Sequence, residues 1–449
     1  MRREAEAHLV TWFEKRDRKP LILRGARQVG KSTLVRLWCN SQNLELIEIN
    51  LEKEKIISLT EAVLDLNRVL DEIQLRKNKK INESTLIFFD EIQEQPALLS
   101  FLRYFYEERP DIAVISAGSL LEIALKSENF SFPVGRVEFY HLSPMSFKEF
   151  LWAKNQELLA EKIEQLDFGT GIESLAKESF KQYLYIGGMP KAIDVFIKEK
   201  SLVPVREVQE QILQTYLADF PKYNQRIKYE RIQRVFNSCI RELGKKVIYQ
   251  RFDPESQSRD IKRVLELLID ARVLIPCYHS DGNSVPLKGE IDYTIYKLYF
   301  IDVGLMNCML RMDFETIDVQ MKNEFNTKGI MAEQFVAQHL NQIMGGSIQP
   351  ELFYWLRDKG SQKGEIDFLI EEGQTVVPIE VKAASAGHLK SLFYFSKQKK
   401  SKTAIRLSLQ PFSKEEIKHL IEGETIHVQL LNLPIFAVQW CKSVPRSKP

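Results

Sequence analysis

Apolar positions along this chain switch repeatedly between continuous runs and helical spacing, and that switching lays out its elements. Leu21-Ile22-Leu23, Leu44 to Asn50, Thr85 to Glu91 and Ile112 to Gly118 are short, mostly apolar runs. Runs of this kind predict parallel strands buried on both faces, with ligands collecting beyond their carboxyl ends. Between them the spacing becomes helical: Leu9 to Phe13, Leu34 and Val35, Leu64, Leu66 and Leu70 within 56–77, and Leu98, Leu99, Leu102 and Phe105 within 97–108. A last strand is expected within Phe132 to Leu142, then helices from Pro144 to Leu151 and over 172–186. The second of these runs into Gly187-Gly188-Met189-Pro190. Glycine allows left-handed backbone and proline stops what precedes it, so this stretch reads as the hinge or cap of a small helical lid.

Further on, Val208, Ile212, Leu213 and Tyr216, then Ile232, Val235, Phe236 and Ile240, recur at helix spacing up to Gly244. Ile261, Val264, Leu265 and Leu268 mark another helix, followed by strand candidates from Ala271 to Tyr278 and from Ile295 to Ile301. Helices followed by two strands are the order of a winged helix, which binds DNA or serves as a protein contact. On the 258–268 helix only Arg259, Lys262 and Arg263 are basic, short of a dense DNA-reading face. In the last third, Ala332, Phe335, Val336 and Leu340 stripe a helix with Glu333 at its margin, and Tyr354 to Arg357 is a strand. Gly364 to Ile370 is another, on which period two puts Ile366, Phe368 and Ile370 on one face and Asp367 on the other. On Val376 to Lys382 the same period sets Glu380 and Lys382 together, away from Val377, Ile379 and Val381. Strands over Ala404 to Leu409 and Ile426 to Leu430 complete an α/β pattern.

Chemistry concentrates at two places. The stretch Gly25, Ala26, Arg27, Gln28, Val29, Gly30, Lys31, Ser32 and Thr33 has the G-x-x-x-x-G-K-S spacing of a phosphate-binding loop between a strand and a helix. Its glycines let backbone N–H groups wrap an anion, Lys31 places a cation between phosphates, and Ser32 offers its hydroxyl to magnesium. Asp90 and Glu91, ending the apolar run from Thr85, supply the second half of an ATPase site. Asp90 would hold the magnesium shell and Glu91 would orient the attacking water; the alternative is a solvated strand end. Ser116 and Ser119 lie where a polar side chain senses the terminal phosphate or caps the segment starting at Leu120. Arg136 either reaches a phosphate or is surface.

The second place is Asp367, Glu380 and Glu333, which can share a divalent cation, with Lys382 orienting or deprotonating a water for phosphodiester hydrolysis. An internal Glu380–Lys382 charge pair is the competing explanation. His388, Lys390 and the run from Lys397 to Lys402 either follow a phosphate backbone or keep a surface solvated.

Composition narrows the class without choosing a partner. The chain has 449 residues, 44% apolar and 28% charged, as in a soluble protein of about two to four domains. Sixty-three basic against sixty-one acidic residues leave a formal charge of +2, which neither demands nor excludes nucleic acid. Cys39, Cys239, Cys277, Cys308 and Cys441 lie too far apart in sequence for a zinc motif and fit a reducing compartment. No run approaches the roughly 20 apolar residues of a membrane helix. The charged start lacks a secretory apolar region, so the cytoplasm is the expected location and no membrane partner is expected.

The chain resembles a group of prokaryotic ATP-binding proteins in which an N-terminal AAA-type ATPase is joined to a C-terminal region of unknown function. The marks are Gly25 to Thr33, Leu86 to Gln93, Ser116 to Ser119, Gly135-Arg136 with Leu142 to Phe150, Gly187 to Pro190, Lys297 to Leu305, and Gly364 to Phe368 with Ile379 to Lys382. The resemblance implies a P-loop NTPase with a doubly wound parallel sheet and helical lid over residues 1–203. It further implies a winged-helix-like coupling region over 204–309 and a restriction-endonuclease-like α/β domain over 310–449. It also implies that Glu333, Asp367, Glu380 and Lys382 match the metal-nuclease pattern. The expected function is a magnesium-dependent ATPase, with ATP and Mg2+ as cofactors and a second divalent cation in the C-terminal domain. That ATPase is coupled to a module that binds or cleaves DNA or RNA. The alternative is an ATP-driven switch whose inactive C-terminal domain binds a protein or DNA.

Overall fold

The computed structural model describes residues 1–60, 65–119, 121, 133, 135–223, 227–323, 329–357, 364–381, 389–421 and 423–442. They form two compact units. The first comprises Met1–Pro144, Asp270–Val273 and Met344–Pro350; the second comprises Met145–Ile269, Leu274–Ile343 and Glu351–Pro449. The breaks expected at 203/204 and 309/310 both fall inside the second unit.

In the first unit the apolar runs become β1 (Leu21–Arg24), β2 (Glu45–Asn50), β3 (Thr85–Asp90), β4 (Ala113–Ala117) and β5 (Glu138–His141). They form one sheet in the order β2-β3-β4-β1-β5, with every pair parallel. The chain leaves β1 for the far edge, returns strand by strand to β4, and then steps past β1 to β5. Strand order therefore reverses at β1, where open α/β sheets bind their ligands. All six residues of β3 are buried, as a central parallel strand requires. Helices Leu66–Lys77 and Pro96–Glu108 pack with Ile22, Ile47, Ile87, Phe89 and Val114 on one face. Helix Lys31–Ser41 packs on β2, β3 and β4 with none of its buried residues in that cluster, so the sheet is covered on both sides.

The second unit is built on an eight-stranded mixed sheet. Its strands are β6 (Leu274–Ser280), β7 (Ile291–Phe300), β8 (Leu352–Arg357), β9 (Gly364–Glu372), β10 (Thr375–Val381), β11 (Thr403–Ser408), β12 (Ser413–Ile421) and β13 (Glu424–Pro434). The order is β12-β13-β11-β10-β9-β8-β6-β7. The hairpin β6–β7, which follows helices Tyr229–Glu242 and Ser258–Asp270, thus joins the sheet that carries Asp367 and Glu380. Cys277 of β6 pairs in parallel with Leu352 of β8. Alternation along a strand reveals its two faces but not which backbone it will pair with, so this union was invisible in the residue pattern. Strand β12 was also missed. It is an edge strand, and Lys414, Glu415, Glu416 and Lys418 give it the charged sequence by which edges avoid further pairing.

The expected hinge or cap at Gly187-Gly188 is a cap, with Gly187 ending helix Thr170–Ile186, and part of a buried latch within this unit. Gly187 has φ +77°, and a Cβ there would overlap the Asp302 carboxylate. Gly188 N–H donates to Asp302 Oδ2 at 2.5 Å, and Gly188 O accepts from Met145 N–H at 2.7 Å. Gln338, on helix Ile330–Ile343, donates to Tyr183 Oη at 2.9 Å and to Asp302 Oδ2 at 3.3 Å.

Candidate nucleotide site and a second carboxylate cluster

The strand-end register brings the nucleotide residues together. Leu23, Ala117, Asp90 and Asn50 are level at the carboxyl edge of the first sheet, and the loop from Gly25 to Gly30 leaves β1 there. Gly25 (φ +150°) runs so close to Leu142 that a Cβ would overlap its carbonyl oxygen, and Gly30 (φ +92°) opens helix Lys31–Ser41. Lys31 folds back into this loop, donating to Gly25 O at 2.9 Å and Ala26 O at 2.8 Å. Burial lowers its pKa to about 8, against the pull of Glu91 and Asp90 and with Arg27 pushing the same way as burial. Ser32 Oγ donates to Asp90 Oδ2 at 2.8 Å. Burial raises the Asp90 pKa against that hydrogen bond, and Glu91 and Glu48 add repulsion. A hydroxyl and a carboxylate oxygen this close, beside a buried ammonium, are a donor set that fits a nucleotide's Mg2+.

Glu91 takes the left-handed conformation (φ +53°), unusual for a residue with a long side chain, and this turns it out of the strand direction. Its Oε2 accepts from Gln93 Nε2 at 2.7 Å and from Ser119 Oγ at 3.1 Å, while Arg27 Nε donates to Ser119 Oγ at 3.3 Å. Ser119 is therefore the serine brought to Glu91. Ser116 pairs with Ile22 and Phe89 one register position short of the strand ends and is fully buried. Two contributors were missed. Gln93 was legible only as a polar residue after the carboxylates. Arg3, 6% exposed, donates to Val29 O at 2.9 Å and Ser143 O at 2.7 Å, and nothing in its charged N-terminal context marked it.

Arg136 does not join this site. It precedes β5, whose first residue is level with Leu21, so it sits at the opposite edge of the sheet from the phosphate loop. Its Nε donates to Glu107 Oε1 at 2.7 Å in an exposed pair. Arg136→Ala is expected to leave ATP affinity and turnover within roughly a factor of two in nucleotide-binding and phosphate-release assays. A larger loss would assign it to the nucleotide of a neighbouring molecule.

In the second unit, β8 and β9 depart from strict alternation. Phe353 pairs with Leu369 and Trp355 with Ile366, so three steps along β9 match two along β8. One extra residue makes a bulge at Asp367–Phe368, a device that re-aims side chains. Ile366 and Leu369 consequently share a face with helix Lys390–Lys399, and the expected grouping of Ile366 with Phe368 fails. Phe368 instead meets the ring of Tyr299 at 5.5 Å, and Tyr299 Oη donates to Glu333 Oε2 at 3.0 Å. Asp367 Oδ2 accepts from Val381 N–H at 2.7 Å. Glu380, 4% exposed, follows Ile379, the partner of Phe368. Burial raises the Glu333 pKa to about 7, with Asp367 adding to it and Lys297 opposing. Lys297, absent from the expected constellation, is buried here and paired with Glu365. Among the described residues no three His, Cys, Asp or Glu side chains are arranged to hold a metal ion. Lys382 and His388 lie outside the described residues.

Comparison with known proteins agrees with the first of these two sites. A family model described as an AAA domain matches residues 17–151, the stretch that holds the phosphate loop and the Asp90–Glu91 strand end. Two domains of unknown function match residues 177–316 (DUF8612) and 328–426 (DUF4143). No curated protein matches the chain. Among solved structures, a Walker-type ATPase of Pyrococcus abyssi is 16% identical, covering 69% of this chain and 95% of its own, with a TM-score of 0.45. No helix among the described residues is long and apolar enough to cross a membrane.

Proposed function

We propose that the protein is a magnesium-dependent ATPase whose nucleotide state governs its second unit, a nucleic-acid-binding or nuclease-like effector. The observation that carries the ATPase half is the convergence of Lys31, Ser32, Asp90 and Glu91 at one strand edge. Bound with ATP, magnesium supplies charge neutralisation at the β- and γ-phosphates, and Ser32 and Asp90 are the residues to hold it. Lys31 exchanges the Gly25 and Ala26 carbonyls for phosphate oxygens. Glu91 orients and polarises the attacking water, and Gln93 and Ser119 hold its carboxylate until the terminal phosphate arrives. Glu91→Gln is expected to retain ATP binding and to lower phosphate release by at least roughly a hundredfold. Unchanged turnover would sink this role.

The coupling is carried by the helices before the β6–β7 hairpin, which keep winged-helix order, with DNA or a protein as partner. Cys39, Cys239, Cys277, Cys308 and Cys441 are buried thiols outside any disulfide, which fits the cytoplasm. A second reading, in which the C-terminal module is a catalytically inactive binder, draws on the buried Lys297 paired with Glu365 beside Asp367. Nuclease assays with Asp367→Ala separate the two: metal-dependent cleavage lost in the variant supports the effector as an enzyme.

A further inference from the structure

Arg27, the third residue of the phosphate loop and half-buried, is tied to the Glu91 carboxylate through a single hydroxyl. Its Nε donates to Ser119 Oγ at 3.3 Å, and Ser119 Oγ donates to Glu91 Oε2 at 3.1 Å. A serine hydroxyl has one proton, so giving it to Glu91 leaves only acceptor lone pairs for Arg27. Gln93 Nε2 donates to the same Glu91 oxygen at 2.7 Å. The Gln93 carboxamide lies against Gly118, where a Cβ would stand 2.5 Å from Gln93 Oε1. That Oε1 is buried and has no hydrogen-bond partner among the described residues. A buried acceptor left unpaired raises the free energy of the arrangement that buries it. Glu91 is thus held at one oxygen, in a setting that is poised to change.

We infer that Arg27 is a positioning residue that reads the terminal phosphate of ATP: its guanidinium exchanges Ser119 for a phosphate oxygen, and Ser119 then releases Glu91 to the attacking water. The inference rests on the ATPase reading for the role of Glu91. If Glu91 polarises that water, the terminal phosphate lies within a water's reach of its carboxylate, and Arg27 is one hydroxyl away. The Arg27 contact is long for an N–H···O bond and joins a charged group to a neutral one. A phosphate oxygen offers the guanidinium a charged acceptor and a stronger bond. A hydroxyl that accepts from a cation is also the better donor, so the departure of Arg27 weakens the hold of Ser119 on Glu91. The loop moves in the same sense. Lys31 donates to Ala26 O, whose peptide carries the Arg27 N–H, so phosphate that draws Lys31 away also frees the backbone at Arg27. ADP lacks the terminal group, and with it Glu91 stays held.

The test compares ADP with a non-hydrolysable ATP analogue, each competing with a fluorescent nucleotide on the full-length protein with Mg2+. Arg27→Met, which drops the charge, is expected to weaken the analogue at least about tenfold and to leave ADP within roughly a factor of two. Phosphate release at saturating ATP is expected to fall at least about tenfold in the same variant, and adding Ser119→Ala to recover roughly fivefold or more. Equal losses of analogue and ADP would make Arg27 a structural part of the loop and overturn the inference. A double variant no faster than Arg27→Met overturns it as well, since Arg27 would then act without Ser119. Arg27→Gln serves the same comparison should Arg27→Met not fold. A wild type that releases no phosphate removes the ATPase reading instead, and the preference for analogue over ADP still decides whether Arg27 reads the terminal phosphate.

Discussion

Lys31→Ala is expected to weaken ATP binding roughly a hundredfold and to abolish measurable phosphate release. Two charge-assisted hydrogen bonds to phosphate, each contributing about 1.5–3 kcal/mol, are lost with the ammonium. Even the lower end, about 3 kcal/mol in total, corresponds to roughly two decades in affinity. The folded-state pKa sharpens this. A lysine lowered to about 8 by burial carries a penalty for its charge that is present at neutral pH and disappears as pH rises above its unfolded value. The nucleotide-free loop therefore holds a cation at a cost in stability, released when phosphate replaces the two carbonyls. ATP affinity should fall as pH rises through about 8 in the wild type, because the lysine must regain its proton to bind. Lys31→Arg, always charged, should lack that pH dependence whatever its absolute affinity. Fluorescent-nucleotide titrations from neutral to alkaline pH check both statements; a pH-independent wild type would contradict the first.

The other large effect is expected far from any ligand. Gly187→Ala should destabilise the second unit by about 3 kcal/mol or more in urea unfolding. The added methyl overlaps the Asp302 carboxylate, and the backbone there (φ +77°, ψ −169°) is one that residues with a Cβ rarely adopt. Asp302→Ala should cost a similar amount, since Gly188, Leu305 and Gln338 each lose an acceptor in a buried setting. Asp302 also sets a pH dependence. Burial raises its pKa to about 6 despite those three donors. The native state then holds a proton that the unfolded chain has released, so this contribution to stability is full at acid pH and is lost as pH rises through about 6. His339 works in the opposite direction. Its Nε2 accepts the Phe147 N–H at 2.9 Å, and burial lowers its pKa to about 4, so stability is lost as pH falls below the ordinary histidine value. Asp302→Asn should remove the first slope and leave the second exposed, giving a protein that loses stability more steeply on acidification than the wild type. Equal slopes would show that Asp302 is ionised throughout.

The first unit was largely legible because its signals are local. Short buried runs make parallel strands wherever helices cover them, and a loop with glycines at two fixed positions, a lysine and a serine has few conformations that satisfy all four. Asp90 and Glu91 were recognisable because they end such a run. Arg136 was read chiefly from the family resemblance and Ser116 from its position, and register puts one at the far edge of the sheet and the other one step inside it.

In the second unit the residue pattern marked Glu333, Asp367 and Glu380 as a constellation, but their surroundings depend on partners distant in sequence. A single extra residue in β9 reversed the alternation on which the face assignment rested. Lys297 reaches Glu365, two residues before Asp367, because the hairpin assigned to another domain joins the sheet through β8. Gly187 and Gly188 were read as a hinge or cap, and the cap is what forms: Gly187 ends helix Thr170–Ile186, and both glycines let Asp302 approach and fix the backbone. Strand period, loop chemistry and the identity of the charged residues are written in neighbouring residues. Which charges face one another, and what neutralises them, is decided by strand pairing across many residues, because burial makes those charges interact strongly only after the sheet has formed.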